Sequence, residues 1–120
     1  MCTAISDRTR GHVFGRTLDL EYSLGEEVVI TPRRFAFDFL HHPRITDHHA
    51  IIGAAHVAYG APLYYDAANE RGLCAAALSF PRFCEYSKPK KDSHNVASFE
   101  LYVATRLRVA GNDCMAGRPI

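Results

Sequence analysis

The hydrophobic positions of residues 2–80 fall in short runs separated by turn-forming residues, which is typical of a strand-rich fold. The predicted strands are residues 2–6, 12–20, 28–31, 50–57, 63–66 and 73–80. The first two are joined by a polar turn, so we expect them to form a hairpin. Pro32 ends the third strand because proline cannot donate a hydrogen bond to a neighbouring strand. Residues 69–72, with the sequence NERG, are a strong turn signal between the last two strands.

The second part of the chain has a different pattern. Residues 85–93 are charged and contain Pro89, which predicts a surface loop. Asn95 can cap a helix in which Val96, Phe99 and Val103 recur three to four residues apart. From residue 103 onward, arginine and glycine interrupt any apolar stripe, so no element is predicted there. The pattern therefore predicts several strands followed by one helix, with no internal repeat and no domain linker.

Composition places the chain among ordinary globular domains. It has 120 residues, of which 48% are hydrophobic and 22% charged, with a formal net charge of +1. This near-neutral balance argues against a nucleic-acid groove or a polybasic membrane patch. No apolar run approaches the ~20 residues that cross a bilayer, and the first residues lack the features of a signal peptide. The four cysteines contain no CxxC pair, so we expect free thiols in a cytoplasmic protein.

The second residue, Cys2, is a candidate nucleophile. Met1 is normally removed before a small residue, which would leave Cys2 with a thiol and a free α-amino group. Such an amine has a pKa of about 7.7 to 8 and can accept the thiol proton, so no separate base is needed. Arg16 and Asp19 lie on the strand expected to pair with that of Cys2. The arginine would favour the thiolate and the aspartate could orient the amine, although a surface ion pair would produce the same spacing.

In several long segments the chain resembles the choloylglycine hydrolase family, which contains bile salt hydrolases and penicillin V acylases. The matching segments are MCTAIS at residues 1–6, FGRTLDLEYSLGEEVVITPR at 14–33, HHAIIGAAHVAYGAPLYYDAANERGL at 48–73 and NVASFEL at 95–101. The resemblance is strongest to the bile salt hydrolase branch. It implies an α+β N-terminal nucleophile (Ntn) hydrolase fold, an αββα sandwich of which this chain represents the N-terminal portion.

The resemblance also implies roles for individual residues. Cys2 matches the nucleophile, Arg16 a site arginine, and Asp19 the aspartate that holds the N-terminal amine. Ser79 matches a position whose backbone N–H contributes to the oxyanion hole; bile salt hydrolases usually have asparagine there and penicillin V acylases tyrosine. Leu18 and Tyr59 are expected to contact the substrate.

The activity implied by the resemblance is hydrolysis of a linear amide. The expected substrate is a small-molecule amide, a bile salt conjugated to glycine or taurine, with penicillin V as the rival. No metal or organic cofactor is expected, nor a nucleic-acid or membrane partner. Full-length members of the family are expected to be homo-oligomers.

Length separates this chain from the family, whose members are several times longer. We expect residues 1–101 to be the N-terminal portion of the family domain and residues 102–120 to be an unmatched tail, as a frameshift would produce. An alternative to an active enzyme is therefore a truncated, non-catalytic fragment. Such a fragment should leave apolar sheet faces uncovered and should associate or be poorly soluble.

The remaining chemically active residues favour structural roles. Five histidines cluster between residues 41 and 56, namely His41, His42, His48, His49 and His56. Their spacing fits no zinc motif, and residues 41–49 are predicted to be an exposed loop. Cys74 and Cys84 are predicted to be buried, inert thiols. The aromatic residues Tyr59 and Tyr65 could belong to the core or line an apolar pocket, and the core is favoured for Tyr65.

Overall fold

The computed structural model describes residues 2–39 and 42–78. All the regular secondary structure within these residues is β-strand. The strands are β1 (Ala4–Asp7), β2 (Val13–Arg16), β3 (Glu27–Thr31), β4 (Phe37–Phe39), β5 (His42–Ile45), β6 (Ile51–Ala58), β7 (Ala61–Tyr64), β8 (Asp66–Asn69) and β9 (Cys74–Ala76). They form a two-stranded sheet of β1 and β2, a second of β4 and β5, and a five-stranded antiparallel sheet. The predicted helix after Asn95 lies outside the described residues.

The predicted N-terminal hairpin is confirmed. β1 and β2 are antiparallel, with Ala4 opposite Arg16 and Asp7 opposite Val13. The pairing continues one residue beyond the strands, because the Thr17 N–H donates to the Thr3 carbonyl at 2.8 Å. The second strand is shorter than predicted, since residues 17–20 lie beyond its end.

β6 lies at the centre of the five-stranded sheet and confirms the strand predicted at residues 50–57. β3 pairs along one edge of β6, and both β7 and β8 pair along the other. The single strand predicted at residues 63–66 is wrong, because a bend at Tyr65 divides this segment between β7 and β8. The turn predicted at residues 69–72 is confirmed and leads into β9.

The close approach of β8 to β6 depends on Gly53. A Cβ atom at this position would lie 2.0 Å from the Asp66 carbonyl oxygen and 2.9 Å from the Ala67 Cβ. Neither distance is compatible with a side chain at residue 53 unless the backbone moves. Glycine therefore allows the two strands to pack as they do.

The core lies between one face of this sheet and the β4–β5 hairpin. Its buried residues are Phe37, Ile45, Ile51, Ala55, Tyr64, Ala67 and Leu73. Within it, the buried Thr31 and Tyr64 hydroxyls share a hydrogen bond of 2.6 Å. Burial raises the pKa of Tyr64, because the phenolate would be poorly solvated there.

The exposed loop predicted at residues 41–49 is wrong. β5 occupies part of this segment, and His48 is buried against the Phe37 ring at a centroid distance of 4.9 Å. The two His48 ring nitrogens lie 2.9 Å from the Phe35 carbonyl oxygen and 2.7 Å from that of His49. These contacts bury His48, which the polar composition of the segment conceals.

The opposite face of the sheet exposes aliphatic side chains. Val28 is 78% exposed and Ile30 70%, and Ile52, the cross-strand partner of Ile30, is also exposed. An uncovered apolar face is what we expected of a portion of a larger sandwich. Association of the chain through such surfaces stays a prediction.

Candidate active site

Cys2 lies two residues before the first residue of β1 and is buried, with 8% of its surface exposed. The Thr3–Thr17 pair next to it extends the β1–β2 ladder toward the N-terminus. Alternate residues of an extended chain point to the same face, and directly opposite residues share a face. Because Ala4 is paired with Arg16, this register places the Cys2 side chain on the same face of the hairpin as Arg16.

Asp19 is connected to the segment of Cys2 through Thr17. The Thr17 hydroxyl accepts a hydrogen bond from the Thr3 N–H at 3.0 Å and donates one to the Asp19 carboxylate at 3.3 Å. Thr17 therefore belongs to the candidate site, which the sequence reasoning missed, although its position between Arg16 and Asp19 was a usable signal. The hydroxyl holds the aspartate near the start of the chain.

The Arg16 side chain crosses from the hairpin to the five-stranded sheet. It is only 5% exposed, and one terminal nitrogen donates to the Ala77 carbonyl at 2.7 Å and to the Tyr65 carbonyl at 3.5 Å. The other terminal nitrogen donates to the Thr17 carbonyl at 3.3 Å. Arg16 therefore fastens the hairpin that carries Cys2 to the bend after β7 and to the residue that follows β9.

Asp66 supplies the negative charge beside this buried guanidinium. One of its carboxylate oxygens is 3.4 Å from the Arg16 Nε, close enough for an ion pair but without hydrogen-bond geometry. The other oxygen accepts a hydrogen bond from the Ala54 N–H of β6 at 3.1 Å. Asp66 was not identified from the sequence, yet an acidic residue inside an apolar strand pattern is the usual signature of a paired, partly buried charge.

Leu18 lines an open groove of about 460 Å³ that begins where β2 ends. The groove is formed by a single segment of chain, and its lining residues are Leu18, Leu20, Glu21, Tyr22, Ser23 and Glu26. The pKa of Glu26 is lowered because its carboxylate accepts hydrogen bonds from the Leu24 N–H and the Ser23 hydroxyl. The groove thus combines aliphatic and aromatic surface with a carboxylate that stays ionised.

The structure does not bring Tyr59 to this place. Tyr59 lies in the turn between β6 and β7, with a φ of 53° and a fully exposed side chain, so the core alternative for Tyr59 is wrong. Tyr65 is half-buried, and its neighbour Tyr64 takes the core position instead. Ser79 lies outside the described residues, two positions beyond Ala77.

Other reactive groups in the described part of the chain are ordinary. Cys74 is half-buried, and burial raises the pKa of its thiol, which disfavours the reactive thiolate. Residues 2–39 and 42–78 contain no group of three or more histidine, cysteine or acidic side chains placed to hold a metal ion. The same residues include no helix long and apolar enough to span a membrane.

Two solved structures of a conjugated bile acid hydrolase superpose on this chain. A mutant of the enzyme from Clostridium perfringens superposes with a TM-score of 0.78 and 29% sequence identity, covering 97% of this chain and 37% of the solved one. A second variant of that enzyme matches with a TM-score of 0.60 and 32% identity, over 68% of this chain. The predicted Ntn hydrolase fold class is confirmed, with this chain corresponding to a portion of that fold.

Sequence comparisons agree with the fold. The family model of the linear amide C-N hydrolases, choloylglycine hydrolase family, matches residues 2–109. The bile salt hydrolase/transferase of Lactiplantibacillus plantarum is 44% identical over 101 residues, covering 84% of this chain and 31% of the relative. That of Bifidobacterium longum is 38% identical over 110 residues, covering 87% and 35%.

The chain belongs to the choloylglycine hydrolase family of linear amide C-N hydrolases. It spans about a third of the length of the curated relatives it matches. The family match ends at residue 109, and the boundary that we placed at residue 101 stays a prediction.

Proposed function

We propose that this chain carries the nucleophilic part of a hydrolase that cleaves the amide bond of conjugated bile salts, with Cys2 as the nucleophile. The observation that carries the proposal is the β1–β2 register, which supports a shared face for Cys2 and Arg16 in a chain 34–44% identical to proteins named as bile salt hydrolases or conjugated bile acid hydrolases. Cytoplasmic location and bile salt as the small-molecule partner belong to the same proposal.

The proposed reaction has two steps. The α-amine of Cys2 accepts the thiol proton, and the thiolate attacks the amide carbonyl carbon. The carbon–nitrogen bond breaks, the proton passes to the leaving glycine or taurine nitrogen, and a thioester remains. Water then attacks the thioester, releasing the bile acid and restoring the thiol. These steps use no metal or organic cofactor.

Three further residues support this chemistry in the proposal. Asp19, held by the Thr17 hydroxyl, orients the α-amine as its ammonium form appears. The backbone N–H of Ser79 donates to the oxyanion, a type of interaction whose loss costs about a hundred- to a thousandfold in rate. Leu18, in the wall of the groove beyond β2, contacts the apolar part of the substrate, and Tyr59 is proposed as a second, more distant contact.

Glycocholate hydrolysis tests the proposal, with release of glycine as the measurement. The 120-residue chain alone should turn over slowly or not at all, because the matched relatives are about three times longer and this chain contains only part of their sequence. The informative protein is therefore a chimera in which residues 1–101 replace the corresponding segment of the L. plantarum relative. We expect hydrolysis by the chimera and its loss in Cys2→Ala.

Two outcomes would contradict the proposal. Retention of Met1, seen by intact mass, would block the α-amine and remove the mechanism. Undiminished glycocholate hydrolysis in the Cys2→Ala chimera would show that another group is the nucleophile. Faster turnover of penicillin V than of glycocholate would instead change the assigned substrate while leaving the chemistry intact.

A further inference from the structure

The guanidinium of Arg16 is placed mainly by the five-stranded sheet and only in part by its own hairpin. Only the Thr17 carbonyl is local, whereas the Tyr65 and Ala77 carbonyls are 49 and 61 residues away in sequence. A side chain that is 95% buried and positively charged requires a nearby negative charge to offset its lost hydration. The Asp66 carboxylate, 3.4 Å from the Arg16 Nε, meets that requirement.

We propose that Asp66 is a positioning residue that holds the Arg16 guanidinium on the face of the hairpin that carries Cys2. The inference rests on the proposed function, because it takes Cys2 to be the nucleophile. Asp66 acts through Arg16 and does not touch the substrate. Without its carboxylate, the guanidinium loses its countercharge in the sheet and moves away from the face that it shares with Cys2.

The position of Asp66 is itself fixed from two directions. Its second carboxylate oxygen accepts the Ala54 N–H at 3.1 Å, and the Tyr65 N–H donates to the Ala54 carbonyl at 2.9 Å. Asp66 therefore lies next to the bend at Tyr65, where the chain leaves β7 and enters β8. Both of these strands pair with the same edge of β6. The two carboxylate oxygens have separate roles, one toward the backbone of β6 and one toward Arg16.

The sign of the effect distinguishes this role from a direct electrostatic one. If Asp66 acted on Cys2 only through its charge, its neutralisation would favour the Cys2 thiolate and speed its reactions. If Asp66 acts through Arg16, neutralisation weakens the stabilisation of the thiolate and slows them. A purely structural role at the β6 bend would change stability without changing Cys2 reactivity.

The experiment measures the rate at which iodoacetamide alkylates Cys2, followed by peptide mass, in the full 120-residue chain at neutral pH. Asp66→Asn retains an acceptor for the Ala54 N–H but removes the negative charge facing Arg16. We expect alkylation about tenfold slower, because an opposite charge close to a thiol shifts its pKa by about one unit or more. Arg16→Met should show a similar loss, and the double variant no further loss.

Two more variants complete the test. Asp66→Glu keeps the charge and should recover most of the rate that Asp66→Asn loses, even if both variants weaken the contact with Ala54. Asp38→Asn is the matched control, because Asp38 forms an exposed ion pair with Arg44 in the β4–β5 hairpin. It should leave Cys2 alkylation unchanged.

The results separate this inference from the proposed function. A wild-type Cys2 that reacts no faster than Cys74 would overturn the proposed nucleophile, and the role of Asp66 with it. A fast Cys2 whose rate is unchanged or increased in Asp66→Asn would overturn only the role of Asp66. Additive losses in the Asp66→Asn, Arg16→Met double variant would also overturn it, since the two residues would then act independently.

Discussion

Replacement of Gly53 by alanine is the sharpest test of how β8 packs on β6. The new Cβ would lie 2.0 Å from the Asp66 carbonyl oxygen and 2.7 Å from the Ala67 Cα, both of which are backbone atoms. A rotation of a side chain cannot relieve these contacts. β8 would have to move away by about 1 Å, because Cβ contacts under 3.0 Å essentially never occur.

The cost follows from opposing effects. Overpacking of this kind costs about 1–3 kcal/mol, and the movement of β8 weakens the hydrogen bond between Asp66 and Ala54, worth about 1 kcal/mol. Alanine also restricts the conformations of the unfolded chain, which offsets about 0.4–1 kcal/mol of this loss of stability. We expect Gly53→Ala to lower the free energy of unfolding by about 2 kcal/mol, a drop in melting temperature of roughly 10 °C for a domain of this size.

Gly15→Ala is the matched control, since Gly15 also lies within a strand. Its Cβ would meet the Ile5 Cγ2 at 3.7 Å, an ordinary contact, and neither glycine has a positive φ. Urea unfolding followed by circular dichroism should show a clear loss of stability for Gly53→Ala and a change within about 0.5 kcal/mol for Gly15→Ala. Equal midpoints for the two variants would refute the argument from close approach.

Three further predictions concern the core, the surface and a thiol. Tyr64→Phe should lower the free energy of unfolding by about 1–3 kcal/mol, because it leaves the buried Thr31 hydroxyl without its 2.6 Å partner. In urea unfolding, adding Thr31→Val should recover most of that loss. A double variant whose two losses simply add would contradict this. The pKa of Glu70 is lowered from 4.5 to about 2, chiefly by its hydrogen bonds with Arg33. Its stabilising contribution should therefore be complete above pH 4.5 and disappear as the pH falls toward 2. The urea midpoints of wild type and Glu70→Gln should then converge at acid pH. A difference between the two midpoints that stays the same at every pH would count against this. Alkylation of Cys74 should be slow at neutral pH and rise at higher pH than for a free cysteine, because burial raises the pKa of its thiol.

Local sequence rules predicted most strand positions in the described part of the chain. Pro32 marks the end of β3, and the turn at residues 69–72 separates β8 from β9, because each depends on backbone preferences of a few adjacent residues. The N-terminal hairpin follows from the same kind of evidence, whereas the common face of Cys2 and Arg16 follows from the register of the two strands in the structure. The resemblance to a known family added the fold class, which the comparisons confirm, and the proposed role of Cys2 as the nucleophile, which stays a prediction.

The sequence alone was misleading where a residue's environment comes from distant parts of the chain. The polar segment at residues 41–49 was predicted to be an exposed loop, yet His48 is buried because Phe35 and Phe37 lie against it. Likewise, a continuous strand through Tyr65 is a sound local prediction. The division of this segment into β7 and β8 depends on which part of the β6 edge pairs with each strand, and on the close approach of β8 to β6 that Gly53 allows.

In the candidate site, too, some features follow from local sequence and others depend on distant parts of the chain. From the sequence we expected Cys2, Arg16 and Asp19, the residues of the proposed site, to lie close together in one hairpin, because they fall within two neighbouring predicted strands. How the guanidinium of Arg16 is held depends on the folding of the whole sheet, since Asp66 and Ala77 are fifty and sixty-one residues further along the chain. A buried charge must find its partner in space, and that partner is chosen by the pairing of strands that local preferences do not specify.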